Sequence, residues 1–398
     1  MDDTFLLWPK ENMNFKKVEN KENTVLIKWS HNNFEDYKKL AYEFHECGYL
    51  IFDDAINSDD NNIKLDMWFL AGLFLVRQSI ELGLKSLICR CCTKNSEIQN
   101  IFINCCHDLS MLFQNYKSYE KKDYLTSKEK AWLENYLKSL EKIDSKSDVF
   151  RFPFEDDFLA KYRNKFLDSV AVANNLLQAF SLVKKCIQYG VVVDEEDNFI
   201  DSFIPEFFIF SSSGIGNCYL WQSINDNGFY AKINGYSGAI DFLYNNKDLT
   251  NEKKIYPIIF MFRNTLELSL KRIFYSKVSD GVSLKAFNSK RKSHLIKKDL
   301  WKNVKPVVLN YAQARENDIA VVEIVDDLIN EINSIDKNGD MFRYPTSYSL
   351  EYRFDNEKID LKNVYEYYKS IINFLDGCAG MLDEIADYEA EILFNMTF

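Results

Sequence analysis

The chain has 398 residues, enough for two or three domains, and its hydrophobic content of 46% and aromatic content of 15% exclude a disordered protein. A net charge of −11 at pH 7 argues against a broad surface that follows nucleic-acid phosphates, although it leaves room for a local basic pocket. Thirteen glycines and six prolines favour long helices over a turn-rich β sandwich.

The N-terminus and the cysteines indicate a cytoplasmic protein. The opening MDDTFLLWPKENMNFKK begins with acidic residues and has no sustained apolar stretch, so it does not resemble a signal peptide. The most apolar run, residues 67–76, is too short to span a membrane. Nine cysteines without a secretory signal are expected to be reduced thiols. We therefore predict a cytoplasmic protein without a membrane partner.

The periodicity of the sequence divides the chain into four stretches. Two long stretches have the apolar spacing of amphipathic helices, as in residues 127–143. Shorter stretches alternate apolar and polar residues, as in TVLIKWS at 24–30 and around Gly214 and Gly216, which predicts short strands and turns. We therefore predict a mainly α fold. Its parts are an N-terminal lead-in with a candidate strand (1–34), a first helical-bundle unit (35–190), a β-containing connector (191–219) and a second helical-bundle unit (220–398).

The two helical units resemble each other at several points in the same order. RQSIELGLK (77–85) matches RNTLELSLK (263–271), and a histidine follows each of these nonapeptides. IDSKSDVFRFP (143–153) then matches IDKNGDMFRYP (335–345) almost position for position. The proline that ends each segment predicts an extended turn, because it pushes the preceding residue out of helical geometry. The ordered agreement predicts an internal repeat, so that one chain carries a pseudo-dimer of homologous units.

Each nonapeptide places an arginine, a glutamate and a lysine four residues apart. Arg77, Glu81 and Lys85 therefore share one helix face, directly beside Leu70 and Phe74 of the preceding turns, and should be partly removed from water. Three interpretations stay open. The charges form an ion-pair ladder on a solvated face, a structural polar network between helices, or an anion-binding or catalytic site.

The third interpretation groups two sets of side chains. Two arginines, a lysine and a histidine that converge would bind an anion such as phosphate, and the histidine could act as general acid or base on a phosphodiester. The first set has Arg77, His107 and Arg151 as catalytic residues, with Glu81, Lys85 and Asp148 as ligand-binding or orienting residues. The second set has Arg263, His294 and Arg343 as catalytic residues, with Glu267, Lys271 and Asp340 as ligand-binding or orienting residues.

An Arg-x3-Glu-x3-Lys helix, followed by His-x-Leu-x2-Leu at the start of another helix, resembles the HEPN superfamily. The residues that carry the resemblance are RQSIELGLK with HDLSML, and RNTLELSLK with the looser HLIKKDLW. The resemblance covers both helical units, and it implies four- to five-helix bundles that usually pair. Many such domains serve in abortive infection, toxin–antitoxin and other antiphage systems, often as metal-independent ribonucleases. It therefore implies an antiphage or toxin-type effector that acts on RNA.

One departure from that family leaves enzymatic activity open. HEPN ribonucleases carry an arginine and a histidine separated by four to six residues on one helix, so that the arginine lies five to seven positions before the histidine. None of the four histidines here, His31, His45, His107 and His294, has an arginine at that distance before it. The alternative is a non-catalytic HEPN-like module that binds an anionic ligand, such as a nucleotide or RNA, or a partner protein. A structural subunit is a third possibility.

No cofactor or metal is predicted. Cys89, Cys92, Cys105 and His107 could in principle bind zinc, but adjacent cysteines are poor simultaneous ligands and the second repeat has no cysteine at the equivalent places. Small buried thiols are the favoured interpretation. The SSSGIG loop (211–216) lacks both common phosphate-binding glycine patterns, and the acidic run at 53–62 lacks the glycine and glutamate of a calcium loop.

Overall fold

The computed structural model describes residues 7–191, 198–222, 228–278, 293–314 and 319–396. Helices contain 66% of the residues and strands contain 5%, which confirms the predicted mainly α fold class. Residues 192–197 of the predicted connector lie outside the described residues. The internal repeat stays a prediction.

Helices and short strands follow one another along the described part of the chain. In order they are β1 (Thr24–Ile27), α1 (Asn33–Ile56), α2 (Phe69–Cys91), α3 (Asn95–Cys105), α4 (Leu109–Tyr119), α5 (Ser127–Asp144), α6 (Asp156–Tyr162), β2 (Lys165–Leu167), α7 (Ser169–Ile187), β3 (Phe210–Ser211), β4 (Cys218–Leu220), α8 (Phe229–Asn245), α9 (Asn251–Ile273), α10 (Lys302–Ala314), α11 (Ala320–Ile335), β5 (Glu357–Asp360) and α12 (Leu361–Met396). Turns of the wider π-helix lie before α2 (Lys64–Trp68), after α9 (Phe274–Val278) and before α10 (Ile296–Trp301).

The chain forms two compact units. The larger unit comprises Ile27–Ile258 and Phe342–Glu357, and the smaller unit comprises Met1–Leu26, Ile259–Met341 and Lys358–Phe398. Compactness follows contacts in space, so this division differs from the repeat-based domains. Residues 220–258, for example, belong to the larger unit. The predicted domain limits describe sequence similarity and stay predictions.

Helix α2 is the core helix of the larger unit. Every side chain from Phe69 to Ile88 is buried, and α1, α4 and α7 pack against it. Gly48 permits the close approach of α1, since a Cβ at that position would lie 2.6 Å from Cγ2 of Val76. By length and composition Lys64–Cys91 could cross a membrane, but 89% of its apolar window is buried inside the protein. The length and composition of this helix are therefore weak evidence for a membrane span.

Three short strands form an antiparallel sheet in the larger unit, in the order β3–β2–β4. Phe166 of the central strand pairs with Ser211 on one side and Tyr219 on the other. Strand β3 and the start of β4 lie in the predicted β-containing connector, whereas β2 lies within the first predicted helical unit. Three residues are too few to interrupt the helical pattern of the sequence around them, so β2 was not predicted.

In the smaller unit, the N-terminal segment packs onto helices from the far end of the chain. The backbone N–H of Phe15 donates to the carboxylate of Glu331 in α11 at 3.1 Å. Trp8 meets Phe374 of α12 edge to face, with ring centroids 5.7 Å apart. Strand β1 pairs with β5. The strand predicted within residues 24–30 is therefore present, over Thr24–Ile27.

Both Phe-Arg-aromatic-Pro segments lie in turns outside the helices, as their prolines predicted. The segment at 150–153 connects α5 to α6. The segment at 342–345 follows α11 and belongs to the larger unit. Its arginine and tyrosine are thereby available to the charged face of α2.

Candidate functional site

Helix α2 carries Arg77, Glu81 and Lys85 one helical turn apart. Their side chains are 0%, 0% and 2% exposed. The sequence predicted that these side chains are partly buried, and the structure shows that they are almost completely buried. The loop that holds His107 and the turn at 342–345 contact this face, and neither neighbour was apparent from the spacing of charges on the helix. We refer to Arg77, Glu81, Lys85, His107 and Asp144 as the first cluster.

Glu81 is the hub of the first cluster. Its Oε1 accepts hydrogen bonds from Lys85 Nζ at 2.8 Å and from the Tyr344 hydroxyl at 2.6 Å, and lies 3.1 Å from His107 Nδ1. Its Oε2 pairs with Arg77 Nη1. One buried carboxylate thus holds two cations, one tyrosine and one histidine, which satisfies its oxygens without water.

Arg77 connects three separate segments of the larger unit. Besides Glu81 on its own helix, it donates from Nη2 to the backbone carbonyl of His107 at 2.5 Å. Its Nε lies 3.3 Å from Oδ2 of Asp144, at the end of α5. Asp144 Oδ1 in turn accepts the backbone N–H groups of Asp148 and Val149 at 2.9 and 3.1 Å. The guanidinium therefore joins α2, the His107 loop and the end of α5.

The charges of the first cluster compensate one another. Burial alone raises the pKa of Glu81, but Lys85, the hydrogen bond from His107 and Arg77 hold it well below its ordinary value, so the carboxylate is ionised. Burial, reinforced by Arg343 and Lys85, lowers the pKa of His107 to about 4 against the opposing effect of Glu81. At neutral pH the ring is therefore neutral and donates its Nδ1–H to Glu81.

The His107 ring is the part of the first cluster that solvent reaches. Its side chain is 26% exposed, and in the described part of the chain no group hydrogen-bonds its Nε2. A neutral imidazole held at Nδ1 by a carboxylate presents Nε2 as a proton acceptor, the arrangement that a general base requires. The cations beside it are closed to an incoming anion.

The smaller unit contains a second cluster with the same connections. Arg263 Nη1 lies 3.2 Å from Glu267 Oε2, and Arg263 Nη2 donates to the His294 carbonyl at 2.8 Å. Glu267 Oε1 accepts from Lys271 Nζ at 2.7 Å and lies 2.9 Å from His294 Nδ1. The predicted Arg–Glu–Lys–His constellation therefore assembles in this unit as well. We refer to it, together with Asp336, as the second cluster.

In the second cluster the cations are buried, and the histidine is more exposed than His107 of the first cluster. Arg263, Glu267 and Lys271 have side chains 1%, 1% and 5% exposed, whereas His294 is 43% exposed. Burial alone raises the pKa of Glu267, but Lys271, His294 and Arg263 hold it well below its ordinary value. As in the first cluster, the cations are neutralised from within.

Two carboxylates that organise the clusters were not predicted from the sequence. Asp144, and not the predicted Asp148, lies against Arg77, while Asp148 contributes its backbone N–H to Asp144. In the second cluster Arg263 Nε donates to the backbone carbonyl of Asp336 at 3.4 Å, and the predicted Asp340 donates its N–H to the Asp336 carboxylate at 3.1 Å. Both missed residues follow the isoleucine that opens the matched segments, so the alignment of the two segments contained the signal.

The 342–345 turn brings residues from the second predicted unit to the first cluster. Arg343, grouped by sequence with Arg263 and His294, donates from Nη2 to Gln78 Oε1 at 2.6 Å and to Ser147 Oγ at 3.2 Å. Its neighbour Tyr344 bonds Glu81. Its position in the chain had suggested that Arg343 belongs with Arg263 and His294. No local sequence pattern encodes a contact between segments so far apart in sequence.

Arg151 of the first predicted set lies beside aromatic rings. Its guanidinium carbon is 5.8 Å from the centre of the Phe74 ring and 4.9 Å from that of Phe152, and the residue is buried. A cation in such a position gains from the negative face of each ring.

Two cavities in the larger unit lie apart from the clusters. The α4–α5 cavity, of about 260 Å³, is formed by the end of α4, the loop after it and the start of α5, and four lysines line it. A second cavity, of about 430 Å³, lies between the loop before α2 and strand β4 and is lined by Asp60, Asp66 and Tyr219 among others. Neither is lined by a residue of the two predicted sets.

The cysteines are free thiols, as predicted, and six of the nine are buried in the core, including Cys92 and Cys105. Burial raises the pKa of Cys89 above its ordinary value and that of Cys105 to about 11, so both thiols are protonated at neutral pH. Among the described residues, no group of three or more His, Cys, Asp or Glu side chains is arranged to hold a metal ion. The combination of Cys89, Cys92, Cys105 and His107 is thus not gathered into such a group.

Comparison with family models, with curated proteins and with solved structures finds no match to this chain.

Proposed function

We propose that this chain is a tandem HEPN-like module of a cytoplasmic antiphage or toxin-type system, and that it binds an anionic ligand, a nucleotide or RNA, without cleaving it. The family resemblance in RQSIELGLK and RNTLELSLK supports the class of system. The burial of the two clusters argues against catalysis by their cations.

The observation that carries the proposal is the enclosure of Arg77, Glu81 and Lys85. A cation that stabilises a phosphodiester transition state must reach the phosphate oxygens. Here Arg77 is 0% exposed and already contacts Glu81, Asp144 and the His107 carbonyl. The same enclosure holds for Arg263 in the smaller unit. The geometry therefore favours two internal braces over two nuclease centres.

A metal-independent ribonuclease is the second candidate, and the histidines favour it. The ring of His107 contacts Glu81 through Nδ1 and is 26% exposed, while His294 makes the matching contact with Glu267 at 2.9 Å. Each could remove a proton from a ribose 2′-hydroxyl. Neither has a solvent-accessible arginine from its own cluster to stabilise the resulting charge.

One RNA assay separates the two candidates. Purified full-length protein is incubated with tRNA and total RNA in EDTA, beside a His107→Ala/His294→Ala double variant, and binding of labelled RNA and nucleotides is measured in parallel. The proposal predicts binding with intact RNA for both proteins. Cleavage by the wild type that the double variant loses would replace it with the ribonuclease. Cleavage that both proteins show equally would exclude both histidines as its catalysts.

A further inference from the structure

We propose that the α4–α5 cavity binds the phosphate group of a small phosphate monoester such as a mononucleotide. The inference rests on the proposed function only in that it assigns a place to the anionic ligand. The predicted clusters cannot be that place, because their cations are enclosed. The α4–α5 cavity is separate from them and is open to solvent.

The cavity is built where the chain reverses direction. Helix α4 ends at Tyr119, the loop 120–126 turns back, and α5 begins at Ser127 with Thr126 as its N-cap. Phe113 and Tyr116, both buried, form an apolar floor, and Cys186 of α7 closes one side. A volume of about 260 Å³ suits a phosphate and a sugar, and is small beside most drug-sized ligand sites.

Several charges around the cavity are already paired. Lys117 pairs with Glu134 at 2.5 Å, and Lys130 pairs with Asp123 at 2.9 Å. Glu120 accepts from Arg90 at 3.0 Å and from the Cys91 thiol at 3.2 Å. These pairs hold the walls of the cavity in place and leave its acidic groups neutralised.

Two lysines at the cavity have no carboxylate partner. Lys121 and Lys122 are exposed, and neither forms an ion pair with any residue that the structure describes. Lys122 Nζ lies 5.5 Å from the centre of the Tyr124 ring. Around the cavity five cations (Arg90, Lys117, Lys121, Lys122, Lys130) meet three carboxylates (Glu120, Asp123, Glu134), an excess of two positive charges. The protein as a whole has a net charge of −11, so the positive charge at the cavity is a local feature of its surface.

The chemistry of this arrangement fits a compact dianion. Lysine ammonium groups are point charges on flexible side chains. They can therefore bind a phosphate group in whatever orientation the rest of the ester imposes. The aromatic floor can contact the organic part of the ligand without selecting its hydrogen-bonding groups. A long nucleic acid would require a track of cations beyond the cavity, which a protein of this charge does not favour.

Calorimetric titration of the full-length protein tests the site with four probes: inorganic phosphate, ribose 5-phosphate, AMP and adenosine. The variant is Lys121→Ala/Lys122→Ala. The matched control is Lys138→Ala/Lys142→Ala, which removes two exposed lysines from α5 outside the cavity and so changes the net charge equally. We expect the phosphate-bearing probes to bind the wild type and the control, and to bind the cavity variant at least tenfold more weakly. Adenosine should not bind.

Each outcome decides something. AMP that binds more tightly than ribose 5-phosphate would support a nucleotide, and equal affinities would support recognition of the phosphate alone. The inference is overturned if none of the phosphate compounds binds the wild type, if the cavity variant binds as well as the control, or if adenosine binds as well as AMP. The proposed function fails on a different result, metal-independent cleavage of RNA that depends on the two histidines.

Discussion

The first and second clusters share the contacts among arginine, glutamate, lysine and histidine, and they differ in the aspartate contact and in what covers them. In both, a glutamate in the middle of a long helix holds an arginine, a lysine and a histidine, and the arginine also holds the carbonyl of that histidine. The first cluster additionally receives the Tyr344 hydroxyl, and its histidine is 26% exposed against 43% in the second. The clusters share a buried network of arginine, glutamate, lysine and histidine, and they differ in the Tyr344 hydroxyl and in the exposure of the histidine. A role inside the fold is therefore the common one.

A buried ion pair responds differently to the loss of both partners and to the loss of one. Removing two opposite charges from water costs roughly as much as their attraction returns, so such a pair adds little net stability. Removing one partner is different, since it leaves the other buried and uncompensated. Each cluster should therefore respond strongly to the loss of a single member, whatever its net contribution to folding.

The largest effect is expected from Glu81→Ala and Glu267→Ala. Either substitution leaves two buried cations without their carboxylate, and the free energy of unfolding should fall by about 3–5 kcal/mol in each case. Urea denaturation followed by circular dichroism measures this loss. Glu366→Ala is the control, because Glu366 pairs with Lys362 at 3.8 Å on the surface, and about 1 kcal/mol or less is expected there. A loss at Glu81 no greater than at Glu366 would contradict a shared bracing role.

A smaller effect is expected from the protonation of His107. Its pKa is lowered to about 4 in the folded protein, against about 6.5 when unfolded, so the unfolded chain binds the proton more readily between these values. The stability that neutral His107 contributes is therefore complete above about pH 6.5 and is lost as the pH falls towards 4.

Nuclear magnetic resonance of the imidazole measures that pKa directly, and a His107→Gln variant assigns the signal. The ring should stay neutral at pH 6. A midpoint at or above 6.5 would show that burial and the neighbouring cations do not act on it, and that the first cluster is more open than described.

The smallest of these effects should come from Tyr344→Phe. This substitution affects only the first cluster, because Tyr344 bonds Glu81. The substitution removes one hydrogen bond to the ionised Glu81 and keeps the ring that Lys85 Nζ approaches at 4.3 Å. We expect a loss of about 1–2 kcal/mol in urea denaturation. Tyr348→Phe, at a residue 37% exposed, is the control and should change little. Equal effects of the two substitutions would remove Tyr344 from the first cluster.

The sequence predicted the parts of the site that depend on local periodicity. A four-residue spacing places Arg77, Glu81 and Lys85 on one face of α2, and Leu70 and Phe74 on the preceding turns signalled that the face is not fully solvated. The prolines likewise predicted the turns at 150–153 and 342–345. In each case the relevant interaction lies within a few residues of the pattern.

The remaining parts depend on contacts between distant segments. The sequence offered Asp148 as an orienting carboxylate, but the helix end places Asp144 against Arg77 and leaves Asp148 to donate a backbone N–H. It grouped Arg343 with the second set, although the residue meets Gln78, 265 positions away. The depth of burial also followed from this packing, because Tyr344 and the His107 loop contact the charged face of α2.

We infer that Arg77 is a buried brace and not a ligand-binding residue, and the free energy of unfolding of Arg77→Ala measures this role. We expect a loss of about 3–5 kcal/mol in urea, because Glu81 and Asp144 would keep buried negative charge without their guanidinium. A loss below about 1 kcal/mol, together with a loss of RNA binding or cleavage, would instead identify Arg77 as part of an open site.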